Sequence, residues 1–159
     1  MADNLTASSA SATIHTYLLY NLGTSEAPNW KKVVDIKDFP AMGGSPEQIE
    51  TTTLSNEVST FVTGVQSLSS FEFLANYTVT DYKAVKALQD SAQVYEFALA
   101  FGKPASNTTF GSLGVFKWNG QLSAWLEGGS VNGVREMRIS ISATSEVDFS
   151  EETLTVTAA

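Results

Sequence analysis

The side chains able to do chemistry are few and scattered. Histidine occurs once, at His15, inside an alternating stretch with no second base or strong ligand at a recognisable spacing, so it reads as a structural or surface side chain. Asp148, Glu151 and Glu152 cluster near the C-terminus. Carboxylate pairs cleave glycosides only across a cleft, and adjacent residues on a strand point to opposite faces, so this cluster reads as a solvated turn. Serine and threonine are plentiful, yet none sits in a G-x-S-x-G elbow. The glycines form neither G-x-G-x-x-G nor G-x-x-x-x-G-K-[ST], and no phosphate cradle is encoded. The chain has no cysteine, which removes thiolate zinc sites and disulfides and leaves one imidazole with dispersed carboxylates, a poor set for a transition metal. The expectation is a non-enzyme with no catalytic residues, no metal and no cofactor.

A group of charges remains. The stretch VNGVREMRIS, residues 131–140, sets Arg135, Glu136 and Arg138 at the start of a strand. Charged pairs at association surfaces give orientation and partner choice more reliably than affinity, so these three are candidate subunit-interface residues; the alternative is a plain solvated strand end. Trp125 joins them. Leu122, Ala124 and Leu126 share one side of their strand, while Trp125 lies on the other among Gln121, Ser123 and Glu127. A strand covered on one face only would not ordinarily put a tryptophan on its wet side, and exposed apolar surface marks interaction sites.

The elements that position these residues follow from periodicity. Apolar and polar residues alternate with period two over most of the chain, most plainly at Met137, Ile139, Ile141 and Ala143 against Arg138, Ser140, Ser142 and Thr144. Further strands are expected at Ile14–Tyr20, Trp30–Ile36, Ile49–Leu54, Ser70–Tyr77, Val94–Phe101, Gly114–Trp118, Gln121–Glu127 and Thr153–Val156. Asn119-Gly120 is either a hairpin turn or a bulge in one long strand. Between Thr78 and Gln89 the period changes to three, with Tyr82, Val85 and Leu88 on one side. Thr78 and Asp81 have capping-box spacing, and Tyr77 with Tyr82 makes a hydrophobic staple, which predicts one helix. Leu54–Val65 mixes helical spacing with a Thr/Val-rich composition and stays unassigned. The loop KDFPAMGGSP combines two prolines and two glycines with Phe39 and Met42; a loop this long that carries apolar residues reads as functional. Its residues Lys37, Asp38, Phe39, Pro40, Ala41, Met42, Gly43 and Gly44 are a candidate assembly segment, with Phe39 and Met42 as anchors and the glycines giving freedom to change shape on docking.

The 159 residues fit one domain. The fold class expected is mainly β: a two-sheet sandwich or barrel-like domain over residues 13–159, flanked by one α-helix and carrying a long inter-strand loop, with residues 1–12 a flexible arm. The N-terminal stretch has no basic opening run and no apolar block, so it reads as no secretion signal. The longest apolar run is about five residues, far short of the roughly 20 that span a bilayer. Nine Lys and Arg against seventeen Asp and Glu give a net charge of −8, which opposes nonspecific binding to nucleic acid or an anionic membrane.

The segments TTLSNEVSTFVTG, FEFLANYTVTDYKAVKAL, VYEFALAFG and FKWNGQLSAWLEGGSVNGVREMRISISATSEV, in that order, resemble the major tail (tail tube) protein of long-tailed bacteriophages with noncontractile tails. The resemblance spans about Ser45 to Val147. It rests on order and spacing, above all the DY-x-x-x-K-A-L helix and the G-x-V-N-x-V-R-E-M-x-I-x-I ending. It implies a β-sandwich with one helix, hexameric rings that stack into a tube, and a channel through which the genome leaves. It also implies a structural protein of the virion, assembled in the host cytoplasm, with tape-measure, tail-terminator and distal tail proteins as partners, DNA passing without specific binding, and no membrane. Six copies at −8 each would carry −48 per ring, so a negatively lined channel would repel phosphate. The reading from another class is a monomeric β-sandwich carbohydrate-binding or adhesin-like module that uses Trp118 or Trp125 as a platform.

Overall fold

A computed structural model of the chain describes residues 11–68, 70–104 and 108–156; most of the expected N-terminal arm lies outside them. In chain order the elements are β1 (Thr16–Asn21), β2 (Trp30–Val34), β3 (Gln48–Glu50), β4 (Phe61–Thr63), β5 (Ser70–Asn76), α1 (Val79–Asp90), β6 (Tyr95–Phe101), β7 (Thr109–Phe110), β8 (Val115–Leu126), β9 (Glu136–Ala143), β10 (Asp148–Ser150) and β11 (Leu154–Thr155). The class is the one the alternation predicts, mainly β with one helix.

The main sheet runs β2-β1-β6-β8-β9-β5, every pair antiparallel. Its two ends meet at a single antiparallel bridge between Ile36 and Ala75. There the Lys37 N–H donates to the Leu74 carbonyl at 2.6 Å, and the Asp38 carboxylate accepts from the Leu74 N–H at 2.9 Å. The sheet thus curls into a barrel, an arrangement that gives strand edges partners within the chain.

Inward-pointing residues of alternate positions fill the barrel: Phe71, Phe73, Phe97, Leu99, Trp118, Leu122, Met137, Ile139 and Ile141. Trp118, only 2% exposed, is its centre. Phe73 and Phe97 stack on it with centroids at 6.3 and 6.1 Å, and Phe71 meets it edge-on at 5.2 Å. Offset and edge contacts of this kind add to the area term of burial.

β1 and β6 are buried on both faces. Leu18 and Leu19 are adjacent and both inaccessible, as are Phe97, Ala98, Leu99 and Ala100 in a row. The barrel interior takes one set. The other set, Leu19, Ala98 and Ala100, packs with Trp30 and Val115 beneath the short β7–β11 pair, which contributes Phe110 and Leu154. For these strands, then, the second cover comes from the same chain and not from another copy.

β8 shows why Asn119-Gly120 is not a hairpin. Val115–Gly120 pairs with β6, Gly120–Leu126 pairs with β9, and β10 continues the β9 side along Val115–Lys117. The strand runs unbroken through Gly120, where β9 lies so close that a Cβ would meet Ile141 Cγ2 and the Ser142 carbonyl oxygen at 2.7 Å. Beyond Gly120, β6 no longer borders β8, and α1 takes its place: the Gln89 side-chain oxygen accepts from the Ala124 N–H, and the Gln121 amide donates to the Ala92 carbonyl. The helix caps an open edge.

The cap of α1 is the one its sequence encodes. Thr78 Oγ1 accepts from the Asp81 N–H at 3.1 Å, and the Tyr77 and Tyr82 rings lie 5.6 Å apart. Val85 is buried, and Tyr82 and Leu88 pack on the barrel core. His15, expected within a strand, precedes β1 instead. It has φ 62°, is exposed, and lies in hydrogen-bond range of the Tyr17 hydroxyl at 3.3 Å. Among the described residues no helix is long and apolar enough to cross a membrane.

Candidate assembly surface

One segment stands apart from the barrel. Among the described residues β3 and β4 pair only with each other, in the register Gln48↔Thr63, Ile49↔Val62 and Glu50↔Phe61, and every residue of both strands is exposed. Backbone bonds extend the ribbon at both ends: Glu47 N–H to Val65 O at 3.1 Å, Gly64 N–H to Glu47 O at 2.6 Å, and Thr51 N–H to Thr60 O at 2.8 Å. At the tip the Asn56 side chain accepts from the Thr53 N–H, and Thr52 Oγ1 accepts from the Thr60 N–H. At the base the Gln66 amide holds the Gly44 carbonyl at 2.8 Å.

The ribbon's side chains are not those of a solvated loop. Ile49 and Val62 lie opposite one another on one face and Phe61 on the other, and Leu54, Val58 and Val65 are also exposed. A two-stranded ribbon is marginal by itself in water, and apolar side chains left uncovered on both faces are the usual mark of an interaction surface. Alternation predicts a strand at Ile49–Leu54 and assigns no element to Leu54–Val65. The signal for the second strand is the short β-branched and aromatic run Thr60-Phe61-Val62-Thr63, facing Ile49 across a polar Thr/Ser/Asn turn.

The candidate assembly segment sits differently. Phe39 is half-buried, its ring edge-on to Phe101 at 5.5 Å, and Met42 also packs against the barrel core. Asp38 and Lys37 hold the barrel seam described above, and the Lys37 ammonium pairs with Glu136 at 2.7 Å. Ala41, Gly43 and Gly44 are exposed and Pro40 is half-buried. Gly43 has φ 81°, a conformation that favours glycine. The segment therefore anchors to its own barrel at Phe39 and Met42 and leads into the base of the ribbon.

The structure separates the candidate interface charges. Arg138 lies on the outer face of β9, where its guanidinium meets Glu127 at 2.8 Å and Glu72 at 3.4 Å. Glu127 also accepts from the Trp125 indole N–H at 3.0 Å, so Trp125, Glu127, Arg138 and Glu72 form one network across β8, β9 and β5. The hydrogen bond from Arg138 holds the Glu127 carboxyl below its ordinary range, against the opposing effect of burial. Glu136 is taken by Lys37. Arg135 alone has no carboxylate partner among the described residues, and it is exposed. Trp125 is 40% exposed, and Leu126, at the end of β8, and Val131 and Val134, in the turn that follows, are more so.

Asp148 and Glu152 line an open cleft of about 510 Å³ with Glu96 and Lys117. Among the described residues no three His, Cys, Asp or Glu side chains gather in a metal-holding group.

No protein-family model and no curated protein matches the chain. Solved structures do. The chain superposes on a chain of the tail of an empty GTA (gene transfer agent) particle with C6 symmetry at TM-score 0.64 and 12% identity, covering 89% of this chain and 99% of that one. It matches a chain of an extracellular contractile injection system, PVC sheath/tube terminator in the extended state, at TM-score 0.65 and 10% identity, covering 91% and 99%. A chain of the six-fold symmetrised anti-feeding prophage (AFP) baseplate matches at TM-score 0.60 and 9% identity, covering 90% and 97%. At these identities the likeness is one of fold: this chain shares its β-barrel fold with those chains of a tail, a sheath/tube terminator and a baseplate.

Proposed function

We propose that this chain is a structural, non-enzymatic component of a phage-type tail, which self-assembles into stacked hexameric rings forming a tube for genome passage. Residues 13–159 act as one tail-tube domain with residues 1–12 as an arm. The finer reading is the tube of a noncontractile phage tail, in the virion, with tape-measure, terminator and distal tail proteins as neighbours. The observation that carries the proposal is the ribbon at 47–65, an element with exposed apolar side chains that finds no cover on its own barrel. Two further points support it. The fold recurs in six-fold tail and baseplate structures, and a net charge of −8 per copy suits a conduit that must not hold DNA. Residues 37–44 serve as the root of the assembly arm, and Trp125, Arg135, Glu136 and Arg138 belong to the subunit surface.

The carbohydrate-binding reading has less to stand on. Trp118 is core, and the indole N–H of Trp125 is committed to Glu127.

Negative-stain microscopy of concentrated protein, with and without a tape-measure protein, tests the proposal. Hollow stacked rings are expected from the intact chain, and folded monomers from a variant in which 47–65 is replaced by a short Gly/Ser link. Persistent monomers of the intact chain in both samples would overturn it.

A further inference from the structure

We infer that the ribbon of one copy docks on the 128–135 turn of another copy, so that the contact runs head to tail. This rests on the functional reading above and names the surface that receives the arm.

The two surfaces sit at opposite ends of the barrel. The ribbon's base, at Gln66 and Leu68, shares a crevice with Phe71, Ala143 and Val147, where β5 begins and β9 ends. The 128–135 turn lies where β5 ends and β9 begins: Asn76 is in register with Glu136, and the Tyr77 N–H donates to the Arg135 carbonyl. Seven residues of β5 separate the two ends, about 20 Å at strand rise. Each leg of the ribbon is about nine residues, so it reaches about 30 Å at full extension, enough to leave its own barrel and lie along a neighbour.

Their chemistry is complementary. Between residues 47 and 68 the only charges are Glu47, Glu50 and Glu57. The 128–135 turn carries one charge, Arg135, without a carboxylate partner among the described residues. Exposed Leu54, Val58 and Phe61 on the ribbon have counterparts in Trp125, Val131 and Val134 around the turn. An acidic apolar arm and a cationic apolar patch sit at opposite ends of one chain, and within the copy both stay exposed, neither covering the other. They meet between copies, and a heterologous contact of this kind repeats until a ring closes or a filament grows. Neighbouring Arg138 and Glu136 are spent inside the copy, which leaves Arg135 as the charge that steers the docking.

The absence of native cysteine gives a clean test. Val58 and Val134 are both exposed, so V58C and V134C leave the core intact. Under assembling conditions with mild oxidant, the double variant V58C/V134C is expected to give a ladder of covalent oligomers on a non-reducing gel. Each single variant alone should stay monomeric on that gel, and a mixture of the two should stop at dimer. Adding Arg135→Glu to the double variant should cut the ladder about tenfold or more. If the double variant forms tubes by microscopy without a ladder, or V58C links to itself as fully, this contact is wrong and the functional reading survives. If no tubes form from any variant or from the intact chain, the functional reading fails and the contact fails with it.

Discussion

β6 and the β3–β4 ribbon are made of similar residues and end in opposite places. β6 reads YEFALAF, and its four central side chains are inaccessible to solvent, covered by the barrel interior on one face and by the β7–β11 pair on the other. The ribbon likewise carries apolar side chains on both faces, Ile49 and Val62 on one and Phe61 on the other, yet each is more than half exposed. Apolar content sets the tendency to be covered; topology decides whether the cover comes from the same chain. The barrel closes at Ile36 and Ala75 without the ribbon, so the ribbon's apolar side chains contribute nothing to the monomer's core and are free to serve a partner.

The sharpest way to break this contrast is a pair of truncations. Trp118→Ala empties the barrel's centre and should cost about 3–5 kcal/mol of unfolding free energy, while Phe61→Ala should change monomer stability by no more than about 0.5 kcal/mol and still weaken assembly. Urea denaturation of each variant beside the intact chain reads both. A large loss from Phe61→Ala would mean the ribbon belongs to the core after all. Gly120→Ala comes next: its Cβ collides with Ile141 and the Ser142 backbone, where β9 crosses close to β8, and the overpacking should cost about 1–3 kcal/mol. A neutral result in the same assay would show that β8 yields at this point.

Smallest is Glu127→Gln, which acts on the outer-face network. The Glu127 carboxyl is held low, chiefly by the Arg138 hydrogen bond, so its stabilising effect is complete above the ordinary carboxylate range and fades as pH falls through that range toward the lowered folded value. The variant should therefore lose less stability on acidification than the intact chain. Thermal melts from neutral pH downward check this, and parallel slopes would remove the network's role.

The barrel was legible in the sequence wherever one face is wet and the other dry, because period two then stands out, as in Met137–Thr144. The helix was legible from its cap, since Thr78, Asp81, Tyr77 and Tyr82 act locally and need no tertiary information. What escaped was long-range. The run Phe97–Ala100 does not reveal that residues 108–110 and 154–156 supply its second cover, and Gly120 does not announce that a strand changes neighbours there. The candidate surface was half legible. Trp125 on a wet face is readable by alternation, and Arg135 as one of three charges at the start of a strand. That Arg138 and Glu136 are neutralised within the copy depends on Glu127, Glu72 and Lys37, which lie 11 or more positions from the charge each one pairs. Phe39 and Met42 look like free anchors in a Pro/Gly loop until the barrel wall beside Phe101 is in place.

Amide hydrogen exchange of residues 47–65, compared with Tyr95–Phe101, in monomer and in assembled tubes tests the central claim most directly. The account predicts fast exchange of the ribbon in the monomer, slowing by about a hundredfold or more on assembly, with β6 protected in both states. A ribbon already protected in the monomer, or one that exchanges equally fast in tubes, would contradict it.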